Sequence, residues 1–105
     1  KARSQMEKLG NRRTVVWGAA SKGVIFTLLL SRYGGRMPDF PIDVNPAKQG
    51  KYLPVTALPI LSPRDGLARM NDGDAIFVMN SNYFEEIKSL AGENLVYYRV
   101  DQDEF

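Results

Sequence analysis

The sequence predicts a small three-layer α/β domain, in which helices cover both faces of a five-stranded, mainly parallel sheet. Three observations support this class. Short apolar runs alternate with helical segments along the chain, an alternation typical of a parallel sheet with helical crossovers. A glycine-rich turn follows the first apolar run directly. The 105 residues are enough for one domain of ordinary size.

Short apolar runs, most of them bounded by Gly, Pro, Asn or Asp, are the strand candidates. They cover residues 14–17, 40–44, 58–61, 75–79 and 95–100. The run at 75–79 is continuously apolar, which indicates a central strand buried on both faces. The run at 58–61 contains Pro59, which cannot donate to a ladder, so we assign it to an edge of the sheet.

Three segments between these runs are helix candidates, at residues 24–33, 62–70 and 82–91. The first is apolar on nearly every side, so we expect other elements to cover most of its faces. The second begins with Ser62 as N-cap and Pro63 at the first helical position. In the third, Asn82 and Glu85 form a capping-box pattern. A further short helix is expected at residues 3–9, within a leading segment (1–13) that precedes the domain (14–105).

Right-handed crossovers between these elements favour the strand order 3-2-1-4-5, which makes the predicted domain Rossmann-like. Such sheets bind ligands at the carboxyl ends of the strands, at the switch point between the first and fourth strands. That edge carries residues 18–23, 43–52 and 80–83. We therefore expect the functional side chains among these three segments.

Composition excludes several classes of function. The chain has no Cys and no His, which excludes disulfides and Ser-His-Asp or Cys-His catalysis and makes a metal site unexpected. No apolar run approaches the ~20 residues that span a bilayer, and no signal peptide is apparent, so we expect a cytoplasmic protein without a membrane partner.

Charge is distributed unevenly along the chain. The first 51 residues carry ten Lys or Arg against three Asp or Glu, whereas the remaining 54 carry four against nine. This imbalance indicates an anionic partner for the first half, or else a solvated leading segment. We expect a small phosphate-bearing ligand rather than a nucleic acid.

The turn after the first strand reads Gly-Ala-Ala-Ser-Lys-Gly, a dinucleotide fingerprint with Ala20 in place of its middle glycine. Gly18 permits a tight turn and Gly23 lets the helix pack closely on the strand, whereas Ala20 crowds the path of a pyrophosphate. An anion there would gain from free backbone N–H groups, and Ser21 and Lys22 add a hydroxyl and a charge. The alternative is a turn that only packs strand and helix together.

Other candidates lie on the same edge. Asp43 stands near the end of the second strand, where an acid binds ribose in Rossmann domains, but it also suits an Asx turn before Asn45. Lys48 and Lys51, on the loop that follows, suit phosphate groups together with Lys22, or they simply solvate the loop.

These segments together resemble the C-terminal domain of sugar C-methyltransferases and related S-adenosylmethionine-dependent methyltransferase-like proteins. The resemblance covers about residues 12–100, and its most specific part is the stretch DVNPAKQG at 43–50. The other matching segments are WGAASKG at 17–23, KYLP at 51–54, PI at 59–60, SP at 62–63 and MN at 79–80.

The resemblance implies a Rossmann-like domain that follows a methyltransferase domain, its expected partner in the same chain. S-Adenosylmethionine would bind to that preceding domain, so no cofactor is expected in this one. The domain is then not catalytic by itself, and it holds a nucleotide-linked sugar or a similar phosphate-bearing acceptor. The alternatives are a self-sufficient module that binds an NAD- or CoA-type nucleotide without catalysis, and an interaction domain that uses the fold only as a scaffold. The candidate contacts are Gly18, Ser21, Lys22, Gly23, Asp43, Lys48, Gln49, Tyr52 and Asn80.

Overall fold

The sheet of the domain is parallel throughout. In the computed structural model, which describes residues 10, 12–34, 37–54 and 56–102, its strands pair in the order β2-β1-β3-β4. Their bounds are β1 (Thr14–Trp17), β2 (Phe40–Ile42), β3 (Ala75–Val78) and β4 (Val96–Arg99). The predicted α/β class with a parallel sheet is confirmed.

Three α-helices accompany the strands: α1 (Ser21–Leu29), α2 (Pro63–Leu67) and α3 (Phe84–Ala91). A π-helical turn at Leu30–Gly34 extends α1, and 3-10 turns follow β3 at Ser81–Tyr83 and β4 at Val100–Gln102. The helix expected at residues 3–9 lies outside the described residues.

The helix starts agree with the sequence at α2 but not at α3. Ser62 Oγ accepts a hydrogen bond from the backbone N–H of Asp65 at 3.1 Å, as expected of an N-cap. The capping box predicted for α3 is wrong, because its N-cap is Tyr83, without a side-chain cap. The chain forms a 3-10 turn first, so the cap moves upstream to Asn80, whose Oδ1 accepts from the backbone N–H of Asn82.

The fifth strand predicted at residues 58–61 is wrong. Within the described residues, this segment meets the sheet in a single parallel bridge between Leu61 and Ile42, next to β2. Pro59 instead forms an antiparallel bridge with Tyr52 in the preceding loop. A proline without an N–H cannot extend the parallel ladder. The observed order is therefore the predicted one without its outer strand.

Buried side chains cover both faces of the sheet, because successive residues of a strand point to opposite sides. On one face Val16 and Phe77 pack with Phe26 of α1. On the other face Val15 and Ile76 belong to a second cluster that includes residues of β2 and α3. Burial on both faces explains why β3 is apolar at every position.

The outward side of α1 is less covered than the sequence predicts. Ile25, Leu28 and Leu29 remain exposed, Ile25 by 58%, while Phe26 faces the sheet. A helix in an outer layer packs on the sheet along one side only. No described element covers the opposite side, so the expectation that most faces are buried is wrong for the described part of the chain.

Candidate functional site

The carboxyl ends of β1 and β3 border a cleft of about 630 Å³. Strand β2 pairs with one side of β1 and β3 pairs with the other, so the strand order reverses direction at β1. Open α/β sheets bind ligands at the carboxyl ends of the strands at such a switch point. Buried Trp17 and Met79 line the cleft together with exposed Tyr83 and Leu90. We call it the first cleft.

The glycine turn forms one wall of the first cleft, through Gly18, Lys22 and Gly23. Gly18 has φ +121°, a backbone conformation that favours glycine. A Cβ on Gly23 would stand 1.9 Å from the carbonyl oxygen of Gly18, so only glycine lets α1 begin this close to the turn. Both glycines therefore have the packing role that the sequence offered for them. Anion binding at the turn stays a prediction.

Asp43 lines the first cleft and ties the glycine turn to the loop after β2. One carboxylate oxygen accepts a hydrogen bond from the backbone N–H of Ala19, and the other accepts from that of Asn45, both at 2.9 Å. The second bond is the Asx turn that the sequence offered as the alternative. Asp43 is thus fixed in place on the cleft wall, and ribose binding by it stays a prediction.

A second cleft, of about 690 Å³, lies between the start of α1 and the loop after β2. Lys48, Lys51 and Tyr52 line it, together with Ile25. Ala20, the N-cap of α1, lines both clefts.

The two clefts divide the predicted contacts between them. Gly18, Lys22, Gly23, Asp43 and Asn80 line the first cleft, whereas Lys48 and Tyr52 line the second. The lysines expected around one phosphate therefore face two neighbouring spaces. Gln49 lines neither cleft, because its side-chain amide donates to the carbonyl oxygen of Asp43 at 2.9 Å. Ser21 is the first residue of α1, and its side chain is outside the described part.

Asp101 is a residue near the first cleft that the sequence reasoning missed. Its carboxylate accepts hydrogen bonds from the backbone N–H and the Oγ of Ser81, at 3.0 and 3.1 Å. The backbone bond is the main cause that holds the pKa of Asp101 below its ordinary value, and the charge of Lys22 adds to it. The only sequence signal for this residue is its place just after the last strand.

The described residues contain neither a membrane-spanning helix nor a cluster of metal-ligating side chains. None of the helices there has the length and apolar character needed to cross a membrane. Within the same residues, no group of three or more acidic side chains converges as a metal site would require.

Comparison with protein families matches residues 4–96 to the C-methyltransferase C-terminal domain. Comparison with curated proteins gave no match, and neither did comparison with solved structures. The matched range contains β1, β2 and β3 and every residue that lines the two clefts. Because the match covers most of the 105 residues, the chain belongs to the C-methyltransferase C-terminal domain family.

Proposed function

We propose that this chain is the substrate-holding domain of an S-adenosylmethionine-dependent C-methyltransferase in the cytoplasm. Its ligand is a nucleotide-linked sugar or a similar phosphate-bearing acceptor. The family description supports a companion methyltransferase domain, and we expect that domain to bind S-adenosylmethionine and to carry the catalytic groups. This chain then contributes one wall of the acceptor site and is not catalytic by itself.

The first cleft is the observation that carries this proposal. Its lining is mostly apolar, with a few polar groups that include Lys22, Asp43 and Asn80, a composition typical of small-molecule sites. Lys22 stands in the first turn of α1, where backbone N–H groups lack intrahelical partners. A phosphate at this wall would meet both a cation and the positive end of the helix dipole.

Asp43 and Asn80 are suited to the hydroxyl groups of a sugar. Each carboxylate oxygen of Asp43 already accepts one backbone N–H, and among the described residues a second lone pair on each oxygen is left for a hydroxyl donor. Since those backbone bonds fix the carboxylate in advance, a ligand loses little free energy in ordering it. The acceptor is then oriented by the Lys22 cation and by the fixed side-chain oxygens of Asp43 and Asn80.

The alternative function is a self-sufficient module for a nucleotide such as NAD. A dinucleotide usually spans two mononucleotide-binding halves, and the four strands found among the described residues provide little more than one. Ala20 also places a methyl group where the fingerprint has its middle glycine. We therefore expect weak or no binding of NAD.

Lys22→Ala is expected to weaken the binding of UDP, a simple phosphate-bearing probe, by about 10- to 100-fold. A charge-assisted hydrogen bond shielded from water contributes roughly 1.5–3 kcal/mol, which corresponds to that range. Titration calorimetry on the complete protein, with its methyltransferase domain, measures the change. High salt should reduce the difference where the phosphate remains partly exposed.

Lys88→Ala is the matched control for that titration. Lys88 carries the same charge, but its Nζ lies over the ring of Phe84, 5.9 Å from the ring centroid, and it lines neither cleft. We expect this variant to bind UDP as the wild type does. Equal affinities of the Lys22→Ala variant and the wild type would contradict the proposed function.

A further inference from the structure

We propose that the second cleft binds the nucleoside end of the phosphate-bearing ligand, with the ring against Tyr52 and the phosphate attached to the nucleoside next to Lys48 and Lys51. This inference rests on the proposed function for the kind of ligand. It goes further because it assigns a separate part of that ligand to a separate cleft. The first cleft is left for the outer phosphate, next to Lys22, and for the group attached to it.

Exposed apolar side chains give the second cleft a surface for a planar ring. Tyr52 exposes 68% of its side chain, and Ile25 is also largely exposed. Both line the same cleft. Bases stack readily on exposed aromatic rings, largely without regard to sequence, because every base has a π-face. A base placed here would cover both side chains.

Two lysines supply positive charge to the same cleft. Lys48 is half-buried and Lys51 is exposed, and both line the space that Tyr52 lines. Neither ammonium group forms an ion pair with another of the described residues. A ring bearing phosphates matches this combination of two cations with an aromatic face.

The loop that presents these side chains is fixed by the fold. The backbone N–H of Gly50 donates to the carbonyl oxygen of Ile60 at 2.9 Å, and that of Ile60 donates to Lys51 at 2.7 Å. Beneath the loop, Leu53 packs with Ala19 and Ile60 in a small buried cluster. Since these bonds already hold residues 50–53 in place, little conformational entropy of that segment remains to be lost when a ligand binds. Long loops in small domains are commonly functional.

The size of the second cleft favours a small ligand over a protein segment. Its volume of about 690 Å³ falls within the ~300–1,000 Å³ typical of small-molecule sites. It also meets the first cleft at Ala20. A ligand bound in the first cleft can therefore extend directly into the second.

Tyr52→Ala in the complete protein tests this assignment, with UDP, ADP and inorganic pyrophosphate as probes in titration calorimetry. We expect Tyr52→Ala to weaken both nucleotides about tenfold, as loss of a stacking ring does, and to leave pyrophosphate unchanged. Tyr52→Phe keeps the ring and should bind all three probes as the wild type does. Lys48→Ala should weaken all three, because they share phosphate groups.

The outcomes separate this inference from the proposed function. If Tyr52→Ala leaves nucleotide affinity unchanged while Lys22→Ala weakens it, the inference is overturned and the proposed function stands. The reverse pattern supports the second cleft and contradicts phosphate binding at Lys22. Unchanged affinity together with a lower unfolding temperature for Tyr52→Ala overturns the inference in favour of a surface covered by the methyltransferase domain. If neither nucleotide binds the wild type, both ideas fail.

Discussion

Gly23→Ala is expected to lower the free energy of unfolding by about 3 kcal/mol or more, at the upper end of overpacking costs. The added Cβ would stand 1.9 Å from the carbonyl oxygen of Gly18 and 3.0 Å from its carbonyl carbon. These are backbone atoms, so no side-chain rotation relieves the overlap, and the turn and α1 have to separate. Chemical denaturation of the wild type and the variant measures the change.

Gly50→Ala is the control variant, which separates the cost of atomic overlap at Gly23 from the cost of backbone strain alone. Gly50 has φ +79°, and no atom of the described residues lies within 4 Å of an added Cβ. Its replacement should cost only the ~1–2 kcal/mol of placing an L-residue in the left-handed region. If Gly23→Ala proves no more destabilising than Gly50→Ala, the close packing of α1 on the glycine turn is not a constraint on this fold.

Phe77→Ala is expected to destabilise the protein by roughly 3–5 kcal/mol, the range for removal of a buried aromatic ring. The side chain is fully buried, and its ring centroid lies 5.2 Å from that of Phe26 and 5.3 Å from that of Tyr98. The cavity left in the centre of the sheet cannot collapse without moving α1. Because domains of this size are stable by only ~5–15 kcal/mol, the variant should unfold at a much lower denaturant concentration.

Phe84→Ala is the comparison for Phe77→Ala. Phe84 is only partly buried and lies at the start of α3, where Arg99 stands 5.1 Å from its ring centroid. Part of the Phe84 side chain is already in contact with water, so Phe84→Ala should lower the free energy of unfolding distinctly less than Phe77→Ala does. Equal losses of unfolding free energy for the two variants would contradict this account, because the fully buried Phe77 would then contribute no more to stability than the partly buried Phe84.

The central strands and the glycine turn could be predicted because their signals are local. A continuous apolar run such as 75–79 has few alternatives in a small α/β chain. The Gly18 and Gly23 positions follow from the turn that joins a strand to its helix. Ser62 followed by Pro63 marks a helix start by side-chain chemistry alone. Each of these features depends on residues close together in the sequence.

The features that the sequence did not reveal depend on distant contacts. Whether residues 58–61 form a strand is decided by how Pro59 meets the loop at Tyr52, which composition does not encode. The exposure of Ile25 depends on what packs against α1, and apolar periodicity cannot distinguish a covered side from an open one. Asp101 reaches Ser81 across 20 residues, and no local pattern marks that pair.

The sequence predicted which edge of the sheet carries the candidate contacts, but not their division between two clefts. The sequence placed the candidate contacts at the carboxyl edge of the sheet, where both clefts lie. It could not predict that Lys22 and Lys48 line different clefts, because that depends on how the loop after β2 is held. One of the contacts in this loop is the hydrogen bond from Gln49 Nε2 to the carbonyl oxygen of Asp43, and no sequence pattern marks that pair. The charge of a lysine indicates a suitable ligand but not the cleft that it faces.

A crystal structure of the complete protein with bound UDP tests most directly whether a phosphate-bearing acceptor lies at the carboxyl ends of β1 and β3. We expect a phosphate oxygen within hydrogen-bonding distance of Lys22 Nζ, beside the backbone N–H groups that begin α1. UDP bound only within the methyltransferase domain, with both clefts of this chain empty, would contradict the proposed function.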